Sequence, residues 1–313
     1  MKLKPRARGL VWVAAGAAGL LVLMLLALHY GSDRSRIVEL NAKKVNLVES
    51  MRYSLVAASE AEKSAVLAIT DPDSQTFADQ ARAATAEVER LRTTLDGLLA
   101  AGASQKERQL LAAFSVDFAD YQRIDHELLA LAVKNTNLKA TALAFGPAAQ
   151  AAGDVDAALS RFLATHATSP QRALLLAASA QSATLRLETR LAPHIAEESD
   201  KKMNDLEALM ATDDRQVREA LDGLAALPEL RDDPDLATAR SSFTRFGEVR
   251  TQILALSREN TNVRSLAISL DQKRKAMAVC QDDLNALQQA IAAEPTPPAP
   301  VNPRQLGDRP ASS

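Results

Sequence analysis

One cysteine, Cys280, is all that 313 residues provide. That excludes an intrachain disulfide framework, a CxxCH haem attachment and a cysteine-ligated zinc site. Aromatic residues reach only 4% and glycines number 11. Strands favour β-branched and aromatic side chains, so a chain dominated by alanine and leucine suits long helices and suits sheets poorly. The formal net charge is -2, and no global basic field points to nucleic acid. No GxxxxGK[ST], GxGxxG or GxSxG pattern occurs. His29, His126, His166 and His194 are dispersed, and none has Glu three residues before it, so the ExxH pair of di-metal bundles is missing. His194 is followed by Glu197 and Glu198, which reads as an acidic cluster at a helix start in preference to a metal site. Nothing assembles a nucleophile with a base. The chain is expected to be no enzyme, with no cofactor and no metal.

What is present begins with a basic head, Lys2, Lys4, Arg6 and Arg8, followed by an apolar run from Gly9 to Tyr30 without a charge. About twenty apolar residues match a bilayer core. The segment "LLALHYGS" offers Ala27 with Leu25 at the -3 position, a poor cleavage site, so an uncleaved signal anchor is expected. The basic head stays in the cytoplasm and the bulk of the chain lies in the periplasm, making a single-pass protein of the bacterial inner membrane. At the other end "EPTPPAPVNPRQLGDRPASS" is proline-rich without apolar periodicity, and a disordered tail over 294–313 is expected.

Between these ends the chain is written twice. "TLDGLLA" at 94–100 answers "ALDGLAA" at 220–226, and Phe118, Tyr121 and Ile124 answer Phe243, Phe246 and Val249. The match continues through Leu129, Leu131, Asn135 and Asn137 to Leu254, Leu256, Asn260 and Asn262. Prolines punctuate the helices. Pro147 after Gly146 is expected to open a new helix, as is Pro170 behind an N-cap at Ser169, and Pro193 to end or kink one. The expected fold is all-α: a cytoplasmic head (1–8), a transmembrane helix (9–30), and two tandem up-and-down four-helix bundles (33–168 and 169–293).

Asn-Thr-Asn stands in both copies, in "LLALAVKNTNLKA" at 128–140 and "ILALSRENTNVRS" at 253–265. Apolar residues step by four and three through Leu128, Leu131, Asn135 and Leu138, and through Ile253, Leu256, Asn260 and Val263. Asn135 and Asn260 therefore fall on a heptad seam facing the core, while Thr136 and Asn137 are expected to turn progressively outward. A buried amide without partners costs about 1–3 kcal/mol, so something must answer each one. One reading is a register device. The sharper reading adds the cation one turn on, Lys139 or Arg264, and takes amide plus cation as a site for a small organic anion. The ligand-binding candidates are Asn135, Asn137, Lys139, Arg258, Asn260, Asn262 and Arg264.

"ELLALAVKNTNLKATALAFGPA" and "ILALSRENTNVRSLAISLDQKRKA", behind a basic-headed anchor, resemble the extracytoplasmic four-helix-bundle sensor modules of bacterial methyl-accepting chemotaxis proteins. The resemblance implies a homodimer, recognition of a small organic acid, an amino acid or a loaded binding protein, and a role for arginine at a dimer interface, for which Arg258 and Arg264 are the candidates. No second span, HAMP linker or signalling hairpin follows Ala293, so signalling is expected to pass through a partner receptor or kinase. The competing expectation is a structural spacer of the cell envelope with no small-molecule ligand.

Overall fold

The computed structural model describes residues 5–100, 103–168 and 170–293, with side chains from residue 35 onward. Every regular element among them is helical. The side chains of the expected anchor at 9–30, and all of the tail at 294–313, lie outside the described residues. Among those described, no helix is long and apolar enough to cross a membrane.

The first repeat supplies α1 (Pro5–Leu67), α2 (Asp71–Ala100), α3 (Gln105–Ala132) and α4 (Thr136–Leu143), then a π-helical turn, π1 (Ala144–Ala148), and α5 (Ala149–Thr165). The second supplies α6 (Gln171–Thr189), α7 (Leu191–Ala196), α8 (Asp200–Ala225), α9 (Pro234–Glu259), α10 (Thr261–Ile268), π2 (Ser269–Lys273) and α11 (Arg274–Ala292). Short polar side chains start several of these helices by accepting an orphan backbone N–H. Thr70 accepts from Asp73 at 3.2 Å, Ser104 from Glu107 at 3.2 Å, and Asp233 from Leu236 at 2.8 Å.

Proline behaves differently from expectation at two places. Pro147 does not open a new helix; it sits inside π1, and α4 runs through π1 into α5. Proline lacks an N–H to donate, and a π turn already breaks the regular i→i−4 ladder, so the ring is tolerated there. Pro170 precedes the first residue of α6, with extended backbone (φ −52°, ψ 136°), and α5 and α6 are separate helices.

Two compact units form, and their membership is not the consecutive one expected. Of the described residues, one unit takes those within 5–56 and 85–118 with 278–293; the other takes 57–84 with those within 119–277. Within the second, α5 packs on α6, α6 on α8, α8 on α9 and α9 back on α5. That four-helix ring is built from three helices of the second repeat and α5 of the first. Its core holds Val155, Leu159 and Phe162 from α5, Leu187 from α6, Val217, Leu221 and Leu224 from α8, and Phe243, Phe246 and Ile253 from α9. Full burial of one such side chain stabilises by about 1.5–3 kcal/mol. The first unit is assembled reciprocally, with α11 of the second repeat beside parts of α1, α2 and α3. Leu284, Leu287 and Ile291 are buried there, as are Met51 and Leu55, Leu91 and Leu95, and Leu111 and Phe114.

These compact units differ from the consecutive stretches 33–168 and 169–293. The two repeats exchange their last helix. Internal similarity locates copies along a sequence but does not say which copy a helix packs with; that is decided where the chain leaves α3 and α9.

Candidate functional site

The exit from α3 and the exit from α9 are the two Asn-Thr-Asn motifs. Neither motif lies within a continuous helix. Asn135 and Asn260 both have φ 52°, the left-handed conformation that Asn tolerates better than most residues because its short side chain bonds locally. Each breaks its helix at the same register. The following Thr and Asn do not turn outward: Asn135, Thr136, Asn137, Asn260 and Thr261 are all buried.

The two motifs answer one another. Thr136 N–H donates to Thr261 Oγ1 at 3.2 Å, and Thr261 N–H to Thr136 Oγ1 at 3.1 Å, across 125 residues of sequence. Asn137 N–H donates to Asn262 Oδ1 at 3.1 Å, and Asn262 N–H to Asn137 Oδ1 at 3.2 Å. Asn137 Nδ2 reaches Asn260 Oδ1 at 2.7 Å, and Asn262 Nδ2 reaches Asn135 Oδ1 at 2.9 Å. Each bond has a twin related by exchange of the two copies. The first N–H groups of α4 and α10, which no helical carbonyl can satisfy, are capped by side chains of the opposite motif. The remaining amide protons go outward from the clasp: Asn135 to Asp71 Oδ1 at 3.0 Å, Asn260 to the Glu197 carbonyl at 2.9 Å, and Asn137 to the Ile195 carbonyl at 2.7 Å.

The twofold correspondence stops at the charges. Lys139 Nζ lies 3.1 Å from Asp71 Oδ2 and donates to the Lys134 carbonyl at 2.8 Å. The Asn135 amide and Lys139 together hold Asp71 below the usual carboxylate range. Arg264, the counterpart of Lys139, forms no ion pair among the described residues. It is exposed and lines an open groove of about 480 Å³ with Glu127, Ala130, Leu131, Lys134, Ala267 and Ile268. Lys134 Nζ lies 3.8 Å from Glu259 Oε2.

Arg258 belongs to a different cluster. Its guanidinium donates to Glu207 Oε1 at 2.7 Å, and His194 Nε2 contacts the same oxygen at 2.9 Å. Arg258, opposed by burial and assisted by His194, keeps Glu207 below its ordinary range. His194 Nδ1 lies 2.8 Å from Ser257 Oγ, and that hydroxyl donates to the His194 carbonyl at 3.0 Å. Serine, imidazole and carboxylate stand in line, but Ser257 and His194 are fully buried. With its proton spent on a backbone carbonyl and no route to solvent, Ser257 ties α7 to α9. Of the acidic residues beside His194, Glu197 accepts from the backbone N–H groups of Glu198 and Ser199, and it is the Ser199 contact above all that lowers its pKa.

Thus Asn135, Asn137, Asn260 and Asn262 come together, Lys139 and Arg264 stand beside them on opposite terms, and Arg258 lies elsewhere. The sequence reading missed Thr136 and Thr261 at the centre. It also missed a buried ionic group, Glu62, Asp125 and Lys273, whose signal was present: Lys44, Val48, Met51, Leu55, Ala58, Glu62 and Ala65 step by four and three, and all are fully buried. Lys44 and Glu62 occupy positions of a seam that is otherwise apolar. No family model matches the chain, and no characterised protein matches it significantly.

Proposed function

We propose that the chain is a membrane-tethered periplasmic sensor or binding module built of two four-helix bundles, acting with a partner receptor or kinase and itself no enzyme. The observation that supports this reading is the broken correspondence at the clasp. One copy of the motif carries a cation with its own carboxylate, Lys139 with Asp71, whereas the other presents Arg264 to a groove with apolar walls, a second cation, Lys134, and one acid, Glu127, with which Arg264 forms no ion pair among the described residues. A small organic carboxylate supplies the missing partner: its charge answers Arg264, and its aliphatic body lies against Leu131 and Ile268. The anchor, the periplasmic placement and the likeness to chemoreceptor sensor modules belong to the same proposal.

A thermal-shift screen of the full chain in mild detergent, against organic acids, amino acids and inorganic anions, tests it. A ligand that binds only the folded form raises Tm with concentration. The expected result is a carboxylate hit that disappears in Arg264→Ala while Arg258→Ala keeps it. One further observation favours the alternative of an envelope spacer: the asparagine amides of the clasp bond to one another and to groups within the chain. A panel without a hit, or a hit indifferent to Arg264→Ala, turns the reading to the spacer.

A further inference from the structure

Glu62, on α1, is fully buried, and neither carboxylate oxygen makes a hydrogen bond. Around it, all within the second unit, stand Asp125 and Tyr121 from α3 and Ser269 and Lys273 from π2, each buried. Lys273 pairs with Asp125, and its ammonium lies 3.3 Å above the Tyr121 ring. The charged groups acting on Glu62 are Lys273 and Asp125 across the packing and Lys63 on its own helix. The adjoining faces are apolar, with Ala78 and Ala81 of α2 and Leu128 and Leu129 of α3.

The charges do not balance. Lys273 and Asp125 neutralise each other and Glu62 is the surplus acid. An ionised carboxylate in this position is buried without a hydrogen bond to answer it, a state that buried charges avoid by neutralising. Burial pushes the Glu62 pKa up, against the opposing pull of the nearby Ser269 hydroxyl and the Lys273 ammonium. The two groups able to rescue its anion are carried by π2, an i→i+5 turn set between two regular helices and a less favourable backbone than either.

We propose that Glu62 is a proton-binding latch between α1 and π2. With the proton bound, the carboxyl is neutral and π2 stays closed over it. When the proton leaves to solvent, the anion draws π2 out of its wide turn to bring a donor or admit water, and the leg from Thr261 to Met277 loosens. The sign follows from the direction of the shift. A carboxyl whose folded-state pKa is raised contributes stability that is fully present below the ordinary glutamate pKa. That stability is lost as pH rises through the raised value.

Hydrogen–deuterium exchange on the full chain in detergent, at about pH 5 and about pH 8 and corrected for intrinsic exchange, reads the latch directly. In an Asp283→Asn, Glu188→Gln background, which removes two further carboxyls that burial raises, protection over 261–277 should fall about tenfold per pH unit through the titration, as one linked proton requires. Glu62→Gln should hold that protection constant across the same range, and Glu62→Met provides a second non-titrating side chain should the amide disturb folding. An infrared band of a protonated carboxyl should be present at the lower pH and vanish together with protection. Equal pH dependence with and without Glu62, or an ionised Glu62 with π2 still protected, overturns the proposal.

Discussion

Replacing Asn260 tests backbone and side chain of the clasp separately. Its amide makes two bonds, accepting from Asn137 and donating to the Glu197 carbonyl. Deleting the side chain leaves one Asn137 N–H and that carbonyl unanswered in a buried place. At about 1 kcal/mol for each lost partner, Asn260→Gly should cost about 2 kcal/mol while keeping φ at 52° without strain. Asn260→Ala loses the same bonds and must also hold a Cβ in the left-handed region, for about 1 kcal/mol more. The expected order of stability is wild type, then Gly, then Ala. In an ordinary helix Ala is more stable than Gly by about 0.5–1 kcal/mol, so the sign of the Gly–Ala difference decides. Urea denaturation of the full chain in detergent, followed by far-ultraviolet circular dichroism and compared at a common m, measures it. Alanine more stable than glycine at position 260 would refute the left-handed break and the clasp built on it.

Other consequences are as definite. Asn135→Leu should destabilise the fold, since leucine tolerates a positive φ poorly; a register amide in a continuous helix would give stabilisation instead. The buried pair Lys44–Glu107, 2.8 Å apart, should cost about 3–5 kcal/mol when Lys44→Met breaks it alone, whereas Lys44→Met with Glu107→Leu should be neutral or better. Asp283 is pushed up to about 6 by burial and by the neighbouring Asp117. Stability from its neutral form is therefore present below the ordinary aspartate range and lost as pH rises through about 6. Asp283→Asn should flatten this part of a Tm-against-pH profile, and an unchanged profile would count against the carboxyl pair.

The sequence displayed the helical class, because alanine and leucine without β-branched runs leave little else to form. It displayed the duplication, because Phe118 and Phe243, or Asn135 and Asn260, keep one offset. It also drew attention to Asn135 and Asn260 as buried amides needing partners. What it hid is topological. An unbroken three-four pattern through Asn135 reads as a continuous helix, since periodicity records which side chains are buried and is blind to a φ that changes sign. The partner of each motif lies 125 residues away, and no local pattern says that a copy of the same three residues will cap it. Pro147 pointed the wrong way for a similar reason: proline signals the loss of a hydrogen bond, and a π turn and a helix end both provide that. Lys44 and Glu62 were legible as charges in apolar positions, but only spatial packing shows that one pairs with Glu107 and that the other makes no hydrogen bond.

The central claim is that the two motifs are each other's caps at the point where the repeats exchange helices. Thr136 Oγ1 and Thr261 Oγ1 are 3.2 Å apart, close enough for cysteines at the same positions to meet the geometry of a disulfide. In a Cys280→Ala chain, Thr136→Cys with Thr261→Cys should oxidise within one molecule, giving a fast-migrating monomer on a non-reducing gel and a single peptide crosslink by mass spectrometry. A pair that stays reduced under mild oxidant, or that links only between molecules, would contradict the exchange and the clasp together.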